Sequence, residues 1–307
     1  MHINPNYLTK LKRILIPFII VAWATLLLLV FLRWWLFLGK FPIMELDEDI
    51  WQFWIPVIAP WIPILIWLKP RFDRLEYKAG KDKGSWQMQC VAWVSMAAML
   101  IPSQFLLTTA TGELLEVKNV KEIHKHDRVR YYRVKEFAVH KFIGGVHYSF
   151  RALGRFKQDL HMDIYFVNPI LTHKKQALTM TPRCWYGVAF HKQISNLLSQ
   201  REKEQRFRTF FNECTTKMHQ YDFYTVDHFE NKPASYDRSN FRIAVQNALR
   251  KPVNNDFIIL EPKKEPAEMR NGHKLAWTLG GFVFGITLFM LVLIRPRLPS
   301  DPQETLS

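Results

Sequence analysis

The hydrophobicity of the chain is concentrated in four long apolar runs, separated by polar segments rich in Lys and Arg. The runs cover residues 14–32, 50–68, 85–112 and 275–294, and none contains a charged side chain. A helix rises about 1.5 Å per residue, so each run is long enough to cross about 30 Å of hydrocarbon. The pattern predicts four transmembrane helices, at about residues 14–37, 50–68, 86–108 and 275–294.

The spans divide the chain into a membrane region (1–112), a folded domain (113–273) and a last segment (274–307) with the fourth helix and a short tail. The second run contains Pro56, Pro60 and Pro63. Proline is tolerated in membrane helices where neighbours satisfy the freed carbonyls, so we expect a kinked span, with a re-entrant segment as the alternative. The first run has no small-residue cleavage motif before Arg33, which favours an uncleaved anchor over a signal peptide.

The charges of the short loops predict one orientation. Cations dominate the N-terminal stretch and the second loop, and Arg295 and Arg297 directly follow the fourth span, whereas the first loop is acidic. Cytoplasmic loops carry the excess of Lys and Arg, so both termini should be cytoplasmic and residues 113–273 extracytoplasmic, as in a bacterial inner-membrane protein with a periplasmic domain. The residues that carry this argument are Lys10, Lys12, Arg13, Glu45, Asp47, Glu48, Asp49, Lys69, Arg71, Arg74, Lys78, Lys81, Lys83, Arg295 and Arg297.

The segment between the third and fourth spans reads as an α+β domain. Alternating apolar positions predict strands at 131–140, 146–152, 159–167, 183–190, 223–229 and 256–260, with turns at Gly144–Gly145 and Leu153–Gly154. Ser199 and Glu202 fit a capping box ahead of a helix, and a second helix, marked by apolar residues from Phe241 to Leu249, ends before Pro252. We therefore expect a mainly antiparallel sheet with two helices packed on it.

The net charge of the chain indicates a class of binding partner rather than a type of catalytic chemistry. The chain has a net charge of +15, and residues 113–273 contain 28 Lys and Arg against 18 Asp and Glu. A basic surface suits lipid headgroups, envelope polymers or acidic proteins, although it is also typical of a solvated face next to an anionic membrane. An extracytoplasmic domain has little access to nucleic acid, so we expect none as a partner, and the oligomeric state stays open.

Candidate chemical groups are few. Cys184 and Cys214 fall on apolar faces, where they form either a disulfide or two buried free thiols. His147 and Ser149 share a strand face without a nucleophile motif, and His161 shares the solvent face of its strand with Asp163 without completing a ligand set. We therefore expect no catalytic residue, no metal site and no cofactor.

The last predicted span contains a close-packing motif. Gly281 and Gly285 are four residues apart, the spacing that lets another helix approach closely. They predict a helix–helix contact, either within the chain or with a membrane-protein partner.

Several stretches together resemble a known arrangement. They are WIPILIWLKPR, TTATGELLEV, YYRVKEF, HMDIYFVNPI, CWYGVAFHKQISN and EMRNGHKLAWTLGGF, in this order. The order resembles the N-terminal membrane and extracytoplasmic region ahead of the protease core in some bacterial rhomboid-family intramembrane serine proteases. The Gly-x-Ser motif of that core is missing from the apolar segments, so no catalytic residue carries over. The resemblance implies an accessory part without the protease.

These patterns favour a non-catalytic integral membrane protein whose outer domain binds a protein or envelope partner. The alternative is a membrane-bound hydrolase of rhomboid lineage with a site that the sequence does not reveal. A transporter would need charge within the spans, and Arg33, at the edge of the first span, is the one cation that comes near.

Overall fold

A computed structural model describes residues 9–33, 35, 48–77, 80–126, 129–173, 182–253 and 257–296. Of the residues used for the charge argument, Glu45, Asp47, Lys78 and Arg297 lie outside these ranges. The chain forms two compact units. Unit 1 comprises Met1–Thr111 and Asn271–Ser307, and unit 2 comprises Gly112–Arg270.

Four helices of the described chain are long and apolar enough to cross a bilayer: α1 (Leu11–Arg33), α2 (Ile50–Phe72), α3 (Lys81–Ala110) and a fourth segment at Ala267–Leu293. The α-helix of the fourth segment is α6 (Lys274–Leu293), which belongs to unit 1 like the other three. This confirms that the four apolar runs form helices long and apolar enough to span a membrane. Each helix leaves apolar side chains exposed, among them Leu27, Ile62 and Val283, as expected for surfaces that face lipid rather than water.

The prolines of α2 are accommodated within a continuous helical path. Wider, π-type turns at Ile50–Trp54 and Ile64–Leu68 flank the short α-helical pieces that contain Pro56 and Pro63. Such turns relieve the clash of a proline ring with the preceding carbonyl, at the cost of regular hydrogen bonding.

Aromatic contacts and a glycine face hold the spans of unit 1 together. The rings of Phe18 (α1) and Phe289 (α6) stack with centroids 4.0 Å apart, and both side chains are fully buried. On α6, Gly281 lies against the carbonyl of Ala98, and Gly285 lies against the carbonyl of Ser95. The two glycines therefore contact α3 of the same chain.

Unit 2 contains eight strands and two helices among its described residues. The strands are β1 (Leu114–Asn119), β2 (Tyr131–Glu136), β3 (Ala138–Val139), β4 (Gly145–Leu153), β5 (Asp159–Leu171), β6 (Cys184–Ser195), β7 (His228–Asn231) and β8 (Ile258–Lys263). The helices are α4 (Gln200–His219) and α5 (Tyr236–Leu249). The sheet order is β1-β2-β7-β8-β6-β5-β3, and β4 also pairs with β5.

The expectation of a mainly antiparallel sheet is wrong, because the sheet is mixed. β1 pairs with β2 in parallel, and β6 pairs with β8 in parallel. A parallel neighbour requires the chain to return to the same end of the sheet. The segment with the 3₁₀ turn Glu122–Lys125 makes that return between β1 and β2, and the long connection with α4 and α5 makes it between β6 and β8.

Several strand bounds also differ from those predicted. The expected strand 131–140 is two short strands, and β2 pairs with β1 and β7 rather than with β4. Much of 223–229 is a turn, in which Asp222 accepts a hydrogen bond from the backbone N–H of Tyr224. In contrast, the capping box of Ser199 and Glu202 is confirmed, and so is the turn at Gly154, whose φ is +90°.

The two faces of the sheet are covered by different helices. α4 places Phe210 and Cys214 against Met162 and Ile164 on one face. α5 places Phe241, Ala244 and Val245 against Tyr165, Trp185 and Ile259 on the other. These two faces follow from the alternation of side chains along β5.

Candidate functional site

The strand β4 forms an open edge of the sheet. Among the described strands it pairs with β5 alone, over nine residue pairs from Gly145–Val167 to Leu153–Asp159. The side chain of Asn247 donates to the carbonyl of Val146, which therefore points away from β5. Because backbone groups alternate in direction along a strand, Tyr148, Phe150 and Ala152 also present their N–H and C=O groups outward.

Aromatic side chains border this edge on the α4 face. Tyr148 is 51% exposed and Phe150 is 46% exposed. Both rings contact Phe207 of α4, with centroid distances of 5.1 and 5.0 Å. The three rings form a shallow apolar surface beside the free backbone groups of β4, which we call the β4 edge site.

The surroundings of the β4 edge site are basic. Residues 140–158 contain Lys141, Arg151, Arg155 and Lys157 and no Asp or Glu. The hairpin tip adds Phe156, which is 80% exposed and lies under the guanidinium of Arg155 at 5.7 Å. An extended peptide with acidic side chains would therefore meet complementary charge from Arg155 and Lys157, whereas Arg151 pairs with Asp163 on the opposite face.

On the opposite face, a polar row crosses β4, β5 and β6. Ser149 faces Asp163, and Asp163 faces His191, in the antiparallel register. Asp163 is only 1% exposed, and its Oδ1 lies 2.8 Å from Nδ1 of His191. A buried carboxylate requires partners of opposite charge or hydrogen-bond donors. His191 supplies one when Nδ1 carries the proton.

Arg151 supplies the second partner of Asp163. Its Nη2 lies 3.4 Å from Oδ2 of Asp163, and its guanidinium stacks on the ring of Tyr236 at 3.7 Å. The hydroxyl of Tyr236, in the first turn of α5, donates to Oγ of Ser149 at 3.0 Å. The row therefore attaches α5 to the edge strand and fixes the position of β4.

This geometry bears on the residues considered for hydrolysis. Ser149 accepts its hydrogen bond from Tyr236 rather than from a histidine, and the carboxylate lies between the serine and His191. Burial lowers the pKa of His147 below its ordinary value, and a hydrogen bond with Asn240 opposes that shift. The expectation that Asp163 faces solvent beside His161 is wrong, because α5 covers the carboxylate.

Next to the row, alternating charges cross the sheet. Lys232 contacts Glu261 at 2.8 Å, and Lys263 joins Glu261 to Glu230. Burial would raise the pKa of Glu230, but Arg130 and Lys263 outweigh it and hold that pKa below its ordinary value. These cations already have carboxylate partners, so this network stabilises the fold and leaves the β4 edge site as the more accessible basic surface.

The two cysteines of unit 2 lie in different apolar clusters. Cys184 packs with Tyr186 and Ile258, whereas Cys214 packs with Phe210 and Met162. Both thiols are free in this structure, and the disulfide stays a prediction. Burial raises the pKa of Cys184 to about 12 and that of Cys214 to about 11, so neither is a reactive thiolate.

The described residues provide no arrangement of side chains for metal binding or for transport. They contain no group of three or more His, Cys, Asp or Glu side chains arranged to hold a metal ion. Arg33 donates to the carbonyl of Gln104 at 3.1 Å and to the hydroxyl of Thr108 at 2.7 Å. The intramembrane cation is therefore bound within the bundle and joins α1 to α3.

Sequence reasoning missed the β4 edge site and the partners of Asp163. Alternation along 146–152 identified the strand but not that it would be an edge, and α5 was predicted from Phe241 onward, which omitted Tyr236. Two sequence signals were available. One is the run of cations without acids across 140–158, and the other is Ser235, whose side chain caps α5 by accepting from the N–H of Arg238.

Comparisons with known proteins place the chain in no family. No protein-family model matches it, and neither a curated protein nor a solved structure is significantly similar to it. Nothing in these comparisons links the chain to rhomboid-family proteases.

Proposed function

We propose that this chain is a non-catalytic, membrane-anchored receptor whose unit 2 lies outside the cytoplasm and binds an extended, acidic segment of a partner protein along β4. The observation that carries the proposal is the open edge of β4 with exposed aromatic side chains in a basic, acid-free stretch. Addition of a strand to a sheet edge uses main-chain hydrogen bonds for affinity and alternate side-chain pockets for specificity.

Three features favour a peptide-binding role for the edge strand β4 over a purely structural role. Natural edges are blunted by short length, proline or bulges, whereas β4 has nine residues in continuous register and no proline. The row from Ser149 to His191 holds β4 rigidly, which lowers the entropic cost of docking a partner. The rings of Tyr148 and Phe150 add apolar area on one side.

A hydrolase of rhomboid lineage is the alternative, and the residues named for it do not form a relay. Ser149 accepts a hydrogen bond from Tyr236, whereas His147 forms its hydrogen bond with Asn240. The resemblance to the accessory region of rhomboid proteases fits the receptor proposal equally well, since that region would gather substrates or partners.

The binding test uses the full chain in nanodiscs and a displayed library of random ten-residue peptides. We expect enrichment of peptides that alternate acidic and apolar residues, and at least a tenfold loss of affinity for them in Tyr148→Ser/Phe150→Ser and in Arg155→Glu/Lys157→Glu. Met269→Ser is the matched control, because it removes a 67% exposed apolar side chain that lies outside β4.

Selection of basic or unrelated peptides would reject this mode of binding, and so would an equal loss of affinity in Met269→Ser. A nuclear magnetic resonance or crosslinking map that places the enriched peptide on α5 instead of β4 would reject it as well.

The orientation has a separate test. Phe142 is 95% exposed, and Cys184 and Cys214 are buried, so Phe142→Cys adds a reactive thiol to a unit whose own thiols are shielded. We expect a membrane-impermeant maleimide to label this variant on intact spheroplasts. Labelling that appears only after the membrane is broken would place unit 2 in the cytoplasm.

A further inference from the structure

Unit 1 contains an open groove at one end of its helices. It has a volume of about 380 Å³, within the range of ligand pockets, which is roughly 300–1,000 Å³. The first turns of α3 contribute Gly84 and Met88, and the end of α6 contributes Val292. Tyr77, in the connection between α2 and α3, forms the third wall. All of these residues belong to unit 1.

The walls of the groove are apolar and close-fitting. The ring of Tyr77 lies on Gly84, where a Cβ atom would overlap it, and its hydroxyl donates to the carbonyl of Phe72 at 2.9 Å. Met88 is 2% exposed. The floor and one side therefore suit glycerol and acyl carbon atoms rather than a free ion.

The mouth of the groove carries polar groups without internal partners. Arg295 and Gln87 line it, both are exposed, and neither has a hydrogen-bonding or ion-pairing side-chain contact within the described chain. Lys83 precedes Gln87 by four residues, so the two side chains share one face of α3. The acidic residue in this turn is Asp82. Its spacing from Lys83 and Gln87 places it on a different face of the helix.

The buried side chain of Lys10 fixes the wall of the groove that is formed at the end of α6. The ammonium of Lys10 donates to the carbonyls of Pro296 at 2.8 Å and Ile294 at 3.3 Å, and its residue is 7% exposed. This contact caps the C-terminal end of α6, whose last carbonyls have no partner within the helix. It holds Arg295 and Pro296 in place beside the groove and adds positive charge there.

The residues around the groove are typical of a membrane–water interface. Trp86 is 56% exposed and stacks on Trp61 at 5.6 Å, and tryptophan concentrates at this level of a bilayer. Leu291 on α6 and Ile294 just after it lie near the groove and are 59% and 55% exposed. A molecule in the groove would thus place its head beside cations and its tail on an apolar helix surface.

We propose that this groove binds the phosphate-bearing headgroup of an anionic phospholipid, with Arg295 and Lys83 contacting the phosphate and the acyl chains lying along α6. Basic pockets between transmembrane helices are recognised sites for anionic headgroups, and each cation near the surface adds to the attraction. A free phosphate ion would satisfy Arg295 and Lys83 but not the apolar walls.

The test measures lipid retention by native mass spectrometry of the full chain released from mixed micelles. The probes are phosphatidylglycerol and phosphatidylcholine with identical acyl chains. We expect phosphatidylglycerol to be retained at least tenfold better, and Arg295→Gln/Lys83→Gln to reduce that preference to near unity. Arg74→Gln is the matched control, because Arg74 is an exposed cation of the preceding connection that does not line the groove.

A second variant separates the groove from general surface charge. Val292→Phe narrows the groove and keeps both cations, and we expect it to lower phosphatidylglycerol retention as well. Unchanged retention in both variants, or an equal loss in Arg74→Gln, would overturn the proposal. Displacement of the lipid by 20 mM inorganic phosphate would also overturn it, because it would identify a phosphate-ion site.

Discussion

The glycine face of α6 gives the sharpest quantitative prediction, because three glycines in one helix have different surroundings. A Cβ atom at Gly280 would meet nothing within 4 Å. At Gly281 it would overlap the carbonyl of Ala98, and at Gly285 it would lie 2.6 Å from the carbonyl oxygen of Ser95. The substitutions Gly280→Ala, Gly281→Ala and Gly285→Ala therefore differ in the contact with α3 and little else.

The magnitude follows from the displacement that alanine would require. Ordinary contact begins at 3.4 Å, so α6 must move away from Ser95 by about 0.8 Å at Gly285 (3.4 minus 2.6 Å). Overpacking of this kind typically costs about 1–3 kcal/mol. The gain in helix propensity from Gly to Ala, up to about 1 kcal/mol, is common to all three variants and cancels in their comparison. We expect Gly281→Ala and Gly285→Ala to be less stable than Gly280→Ala by about 1–3 kcal/mol.

The assay is reversible unfolding of the full chain in mixed micelles, followed by the fluorescence of its 11 tryptophans. The midpoints of the three variants give the differences in the free energy of unfolding. Equal midpoints would refute the packing of α6 on α3. A change in oligomeric state at unchanged stability would instead assign the glycine face to a separate membrane-protein partner.

Two further predictions concern unit 2. Because the pKa of Glu230 is held below its ordinary value of 4.5, the stability that its ion pairs provide is present above pH 4.5 and is lost as pH falls through the lowered pKa. Hydrogen exchange of β7 from pH 6 to 3 should show this loss, and Glu230→Gln should flatten the profile, whereas a steeper profile in the variant would contradict the assignment. Because burial raises the pKa values of Cys184 and Cys214, iodoacetamide at pH 8 should leave both unmodified in the folded chain and modify both after denaturation without reductant. Modification that requires a reductant would demonstrate the disulfide instead.

Local patterns determined the elements of this protein well. The capping box at Ser199 was readable because both of its partners lie within four residues. The spacing of apolar residues predicted α5 but not its first turn, which begins at Tyr236. Strands were recognised from alternation, yet their bounds at 131–140 and 223–229 were wrong, since turn contacts such as that of Asp222 compete with the sheet.

The candidate sites could not be predicted from local patterns, because they depend on contacts between residues far apart in the chain. Which strand lies at the edge depends on pairing choices across the whole domain, and two of these are parallel pairs formed by long crossovers. Alternation placed Asp163 on a face with His161, but only the docking of α5 decided that this face is covered. The groove at Tyr77 likewise needs three separated segments to meet.

The sequence by itself determined that four helices are able to cross a bilayer, because that property belongs to each run separately: about 20 apolar residues match the thickness of the hydrocarbon. The tertiary structure alone decided that β4 is an open edge, that Asp163 is buried between Arg151 and His191, and that Gly281 and Gly285 contact α3. Each of these depends on long-range contacts, whose energies no local pattern encodes.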